Sequence, residues 1–212
     1  MVKAKKGDLV KIEFTGKVQK TGQIFDTTYE SVAKSAGIYN ESALYGPKLA
    51  VFGTRAILPG IEEAIIASEL GKEEEFTMQP EKAFGKRQSE LIRMVSEKEF
   101  MKQNFKPKAG MLLALDEAVA KVKSVTSGRV VVDFNHPLAG ESVVYSLKVH
   151  EVISDDSKKI ESILSSFGVK GKVEKKENSF SVLLDKANDK KKEEKAKKAV
   201  QAIVPSASFS VS

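Results

Sequence analysis

Through residues 1–154 apolar side chains alternate with polar ones in one short run after another. A chain patterned this way builds half-buried strands of an antiparallel sheet. Val10, Ile12 and Phe14 alternate with Lys11 and Glu13 until Gly16 interrupts them, and Thr21-Gly22 marks a turn into Ile24-Phe25-Asp26. Leu49 to Phe52 reads as a further strand, as does the run containing Phe76 and Met78, which Pro80 stops. In the stretch Glu141 to Ile153, Val143, Tyr145, Leu147 and Val149 point one way and Ser146, Lys148 and His150 the other. Helical spacing is clearest where Pro59-Gly60 introduces Ile61, Ala64 and Ile65 on one face, with Gly71 beyond the end. Residues 27–47 are weakly periodic and read as a loop with a short helix. Several antiparallel strands around one helix define an α+β class.

The texture changes between Lys86 and Val131. Ser96 and Glu99 have capping-box spacing ahead of Phe100 and Met101, with Val95 placed to staple the helix start. Leu112 to Leu115, Val119 to Val125 and Arg129 to Phe134 then read as strands, the last two joined by the turn pair Ser127-Gly128. A stretch this short sits near the lower size limit for folding alone, so it reads as an insertion braced by its flanks. From Asp155 a third pattern begins. Ile160, Ile163, Leu164 and Phe167 share a helix face that stops at Gly168, and two strands follow around a Glu177-Asn178 turn. A second helix carries Ala196, Ala199, Val200 and Ile203 and ends at Pro205, before a strand with Ala207, Phe209 and Val211 alternating. The order is αββαβ.

With no cysteine and only His136 and His150, the chain has no thiol nucleophile and little with which to build a multi-histidine metal site or a Ser-His-acid triad. We expect no metal and no cofactor. No apolar run approaches the roughly 20 residues a membrane helix needs, so a cytoplasmic protein without membrane contact is expected. The 35 basic and 29 acidic residues leave a net charge of +6, and the excess is concentrated after Ser154, where 13 basic residues face 9 acidic ones.

The ordered run Phe14-Thr15-Gly16, Gly22-Gln23-Ile24-Phe25-Asp26, Ile57-Leu58-Pro59-Gly60-Ile61-Glu62 and Ala83-Phe84-Gly85 resembles the signature of FK506-binding-protein (FKBP) peptidyl-prolyl isomerases. With Asn135-His136-Pro137-Leu138-Ala139-Gly140 after the inserted segment, the chain is similar to the SlyD-like branch, which carries an insert-in-flap chaperone domain, and its tail is similar to that of the long archaeal members. The resemblance implies an FKBP domain in residues 1–85 and 132–154, a bent antiparallel sheet around one helix. It further implies an insert-in-flap domain in residues 86–131 and a C-terminal αββαβ module in residues 155–212.

It also implies that Phe14, Phe25, Asp26, Ile57, Leu58, Ile61, Phe84 and Leu147 line a prolyl pocket. Within it Ile61 stands where many members have Trp, Phe84 replaces a Tyr and Leu147 a Phe. Asp26, Phe25, Leu58 and Phe84 would act on the reacting bond, the Leu58 backbone N–H anchoring a substrate carbonyl. In the insert, Leu91, Ile92, Met94, Phe100, Met101 and Phe105 would hold unfolded peptide, because flexible apolar side chains adapt to many partners. About half of the insert's apolar residues must serve its own core.

The partners implied are unfolded or proline-containing polypeptides. The run Asp189 to Lys198 reads as a solvated helix face with Glu193-Lys197 and Glu194-Lys198 at i, i+4. The alternative reading of the run is a ribosome or nucleic-acid contact, and the module reads as one for dimerisation or substrate binding. A holdase with little isomerase activity is the alternative to an isomerase-chaperone.

Overall fold

The structure, a computed structural model, describes residues 1–54, 57–102, 104–115, 118–177 and 179–211. They form two compact units, Met1–Met78 together with Val143–Ser212, and Gln79–Ser142.

In the first unit, strands β1 (Leu9–Val18), β2 (Ile24–Thr27), β3 (Lys48–Val51), β4 (Glu73–Met78) and β9 (Val143–Ile153) make one antiparallel sheet, with helices α1 (Glu30–Ser35) and α2 (Pro59–Ala67) between strands. The path runs β2-β1-β9-β4, and β3 pairs with the early part of β1. Alternation sets the faces. Val10, Ile12 and Phe14 are buried while Lys11 and Glu13 are not, and across the sheet Val143, Tyr145, Leu147 and Val149 share the buried side. The buried residues Ile61, Ala64 and Ile65 of α2 supply the helical part of this core.

The tail follows as α4 (Asp156–Ser166), β10 (Gly171–Lys175), β11 (Phe180–Leu184), α5 (Lys190–Ile203) and β12 (Ala207–Val211), the αββαβ order expected from its periodicity. Asp155 and Asp189 cap the two helices, each accepting a backbone N–H three residues on at 3.0 Å. β10 runs antiparallel and β12 parallel to β11, with α5 as the crossover. The Glu177-Asn178 turn includes Asn178, which lies outside the described residues.

Within this unit the tail does not keep a core to itself. Ile160, Leu164, Val182, Leu184 and Val200 pack in one cluster with Leu9 and Ile153 of the large sheet. Beside it Lys159 is buried, its Nζ 3.0 Å from Asp156 and 3.9 Å from buried Asp8, just ahead of β1.

The second unit is a four-stranded sheet ordered β5-β8-β7-β6 from β5 (Ile92–Ser96), β6 (Leu112–Leu115), β7 (Ala118–Thr126) and β8 (Arg129–Asp133), with helix α3 (Glu97–Lys102) after β5. Phe100, Leu113, Ala120, Val122, Val130 and Val132 form its core. Ser127 and Gly128 both take positive φ, +50° and +75°, the geometry of a tight hairpin turn between strands of right-handed twist. Strand β5 was not anticipated from the sequence, because its five residues run directly into a helix start and its alternation is too short to stand out.

Candidate functional site

The geometry of the first unit converges on three aromatic rings. Phe14 is set on the buried face of β1, and its backbone is held from β2 and the residues after it. Its N–H donates to Thr28 Oγ1 at 2.9 Å, and its carbonyl accepts the Thr27 and Thr28 hydroxyls at 3.2 and 3.3 Å. On β9 the Tyr145 ring meets Phe14 in a tilted contact at 5.7 Å and Phe25 of β2 edge-on at 5.8 Å between centroids.

Gly16 makes this approach possible. A Cβ there would fall 2.8 Å from Phe25 Cζ and 3.0 Å from Tyr145 Cε1, closer than carbon atoms pack. Gly16 is paired with Asp26 on one side and Tyr145 on the other, so the carboxylate-bearing residue and the phenol flank the same strand position.

Of the residues expected in the pocket, Phe14, Phe25, Asp26, Ile57, Leu58, Ile61 and Leu147 all belong to this unit. Phe14 and Ile61 are largely buried, Phe25, Ile57 and Leu58 are half-buried, and Asp26 is exposed. Leu58 takes extended angles (φ −60°, ψ 139°) immediately before Pro59 opens α2. Its carbonyl accepts the Ile61 and Glu62 N–H groups, whereas its own N–H has no acceptor among the described residues. Proline suits the first helical position, where its missing N–H would have no intrahelical partner.

Leu147 departs from expectation. It is 0% exposed, paired with Phe14 and sealed in the core, so it has no surface to offer a substrate. Tyr145, two residues earlier on the same face, is the aromatic residue against Phe14 and Phe25, and the sequence reading had not singled it out.

Phe84 lies in the second unit, where its ring stacks flat on His136 at 4.6 Å between centroids.

Burial first, and the Asp26 charge second, push the Tyr145 phenol well above its usual 10.0. The unfolded chain therefore ionises at this residue before the folded one does. The stability linked to Tyr145 should be complete below pH 10 and fall as pH rises above it toward the folded value. In a spectrophotometric titration Tyr145 should form tyrosinate only as the protein unfolds. Reversible early titration of all four tyrosines would contradict its burial.

The second unit presents apolar side chains to solvent in its own right. Met94 is 63% exposed on β5 and Met101 is exposed on α3, while Leu91, Ile92 and Phe105 are half-buried. Phe100 is a core residue, contrary to its expected place on a binding face; its ring packs on Phe105 at 6.2 Å. Leu112 and Val119, 66% and 65% exposed on the opposite sheet face from Leu113 and Ala120, are apolar surface residues that the sequence reading missed. They line an open groove of about 1050 Å³ together with Phe134, Lys121 and His136. At its rim Arg87 pairs with the buried carboxylate of Asp133.

No group of three acidic or histidine side chains among the described residues is arranged to hold a metal ion. No helix among them is long and apolar enough to cross a membrane.

Comparison with known proteins brings in a second line of observation. Residues 1–100 match the family described as FKBP-type peptidyl-prolyl cis-trans isomerase, and residues 93–138 match the family described as FKBP26, IF domain. A short-type peptidyl-prolyl cis-trans isomerase of Methanocaldococcus jannaschii is 38% identical over 148 residues, covering 70% of this chain and 93% of that protein. An FKBP-type 16 kDa peptidyl-prolyl cis-trans isomerase of Escherichia coli is 31% identical, covering 50% of this chain and 74% of its own. The FKBP-type peptidyl-prolyl cis-trans isomerase SlyD of Treponema pallidum is 30% identical, with 68% and 75% covered.

Proposed function

The chain belongs to the FKBP-type peptidyl-prolyl cis-trans isomerase family, and on that premise we propose that its first unit turns X-Pro bonds while its second holds unfolded chain. Rotation about such a bond must cross a barrier of roughly 18–20 kcal/mol set by amide resonance. The twisted transition state has lost that resonance and with it much of the planar amide's charge separation. Water stabilises the planar form more, so an apolar wall lowers the barrier without covalent chemistry.

Phe25 and Ile57, both half-buried, present that wall to the substrate, and the almost fully buried Phe14, Tyr145 and Ile61 back it. The Leu58 N–H anchors a substrate carbonyl. Asp26 interacts with the twisting amide carbonyl and orients the rings, and takes no proton. The observation that carries this reading is the Phe14, Tyr145 and Phe25 ring cluster closed over Gly16 beside Asp26.

In the second unit, Met94, Leu112 and Val119 lie exposed on the sheet face opposite the core and offer an apolar surface suited to unfolded segments. Capture there raises the local concentration of proline-containing chain for the covalently joined first unit.

The test compares a proline-containing tetrapeptide with the refolding of a protein limited by a slow X-Pro bond. The intact protein should accelerate both. Phe25→Ala should slow both, on the order of tenfold to a hundredfold. Met94→Ser, Leu112→Ser and Val119→Ser together should leave the tetrapeptide rate intact and slow only refolding catalysis, by roughly tenfold to a hundredfold. Full tetrapeptide activity in Phe25→Ala would overturn the assigned wall. Suppression of aggregation without acceleration of either reaction would make the protein a holdase.

A further inference from the structure

Six lysines fall in the α5 segment Lys190 to Lys198, against the acids Asp189, Glu193 and Glu194. The apolar side of this helix is consumed in the core through Ala196 and Val200, so the lysines are turned outward. Lys197 alone among them is ion-paired, to Glu193, and it also covers the Phe209 ring at 5.9 Å. The Glu194-Lys198 pair that the spacing allows does not form, and Lys190, Lys191, Lys192, Lys195 and Lys198 have no ion-pair partner among the described residues.

Helix stability does not account for this pattern. Lys190, Lys191 and Lys192 occupy the first turn, where the macrodipole disfavours cations, and Lys191 and Lys195 are like charges one turn apart. A face that opposes its own helix yet stays uncompensated fits an external polyanion.

We propose that this lysine face docks on the phosphate backbone of duplex RNA. Lys191, Lys195 and Lys198 lie along one exposed stripe spanning roughly 10 Å of helix axis. Lysine offers point charges without the bidentate fork that reads base edges, so contact is to phosphates and independent of sequence. Phe209, the aromatic residue nearest this face, is half-buried beneath Lys197, which leaves no platform for stacking single-stranded bases. No apolar side of α5 remains to enter a lipid surface, and no exposed anchor sits among the lysines to seat a protein partner. The A-form duplex sets phosphates across a deep, narrow groove that side chains do not read, which suits a short row of ammonium groups.

The experiment is fluorescence anisotropy of the full chain with a labelled RNA duplex of about 16 base pairs, titrated across salt. The variant is Lys191→Gln, Lys195→Gln, Lys198→Gln, whose fold is checked by circular dichroism and whose tetrapeptide isomerisation should be unchanged. Binding should weaken with salt, and the triple variant should lose about tenfold or more in affinity, with the log-log salt slope reduced by roughly three. Unchanged binding in the variant, binding insensitive to salt, or no binding of the RNA would each overturn the proposal. Equal or tighter binding to a DNA duplex, to poly-glutamate or to anionic vesicles would overturn it as well.

Discussion

Tyr145→Ala should remove about 3–5 kcal/mol of stability and, in the molecules that stay folded, eliminate measurable isomerisation of a proline-containing tetrapeptide. The ring is 3% exposed and touches both Phe14 and Phe25, so truncation opens a cavity where the proposed apolar wall stands. Leu147→Ala is the informative partner. It should cost about 2–5 kcal/mol for the same reason, since Leu147 is 0% exposed, yet activity per folded molecule should persist. Urea denaturation gives the two stabilities, and rates normalised to folded protein separate core from site. Tyr145→Phe keeps the ring and isolates the hydroxyl beside Asp26. If Leu147→Ala abolished activity per folded molecule while Tyr145→Ala preserved it, the assignment of the two residues would be reversed.

The second large effect is expected far from the rings. Lys159→Met should destabilise the first unit by about 3 kcal/mol, because removing one partner of a buried ion pair strands the other. Asp8 is 5% exposed; its carboxylate also accepts the Lys5 N–H at 2.8 Å, and that bond cannot replace a neutralising ammonium. Methionine preserves most of the side-chain volume, so the loss reports charge more than packing. Asp8→Asn combined with Lys159→Met should recover much of the difference in the same denaturation experiment. A single Lys159→Met variant as stable as the parent would show that the 3.9 Å Asp8 contact carries no energy.

Much of the architecture was legible because periodicity reports which way a side chain faces. Alternation placed Val10, Ile12 and Phe14 on one side of β1, and helical spacing placed Ile160, Ile163 and Leu164 inside the tail. The Ser127-Gly128 turn followed from residue chemistry alone. Facing, however, is not depth. Tyr145 and Leu147 share a face of β9, and nothing in a period of two distinguishes the one that meets Phe25 from the one sealed beneath. The same holds for Phe100 and Met101, neighbours on α3 of which one is core and the other exposed, and for Leu112 and Val119, apolar residues on a solvated sheet face.

By itself, then, the sequence determined the α+β class, the αββαβ tail, the ordered motif that carries the family resemblance and the surplus of lysines after Ser154. Those are properties of local pattern, and local pattern survives without knowledge of what packs against it. Tertiary structure decided which residues become a wall, a core or a buried pair. Tyr145 joins the rings because Gly16 lets β2 and β9 close on one point, and Lys159 is buried because the tail shares its core with Leu9 and Ile153. Burial depends on where distant elements end relative to one another, and neighbouring letters do not encode that distance.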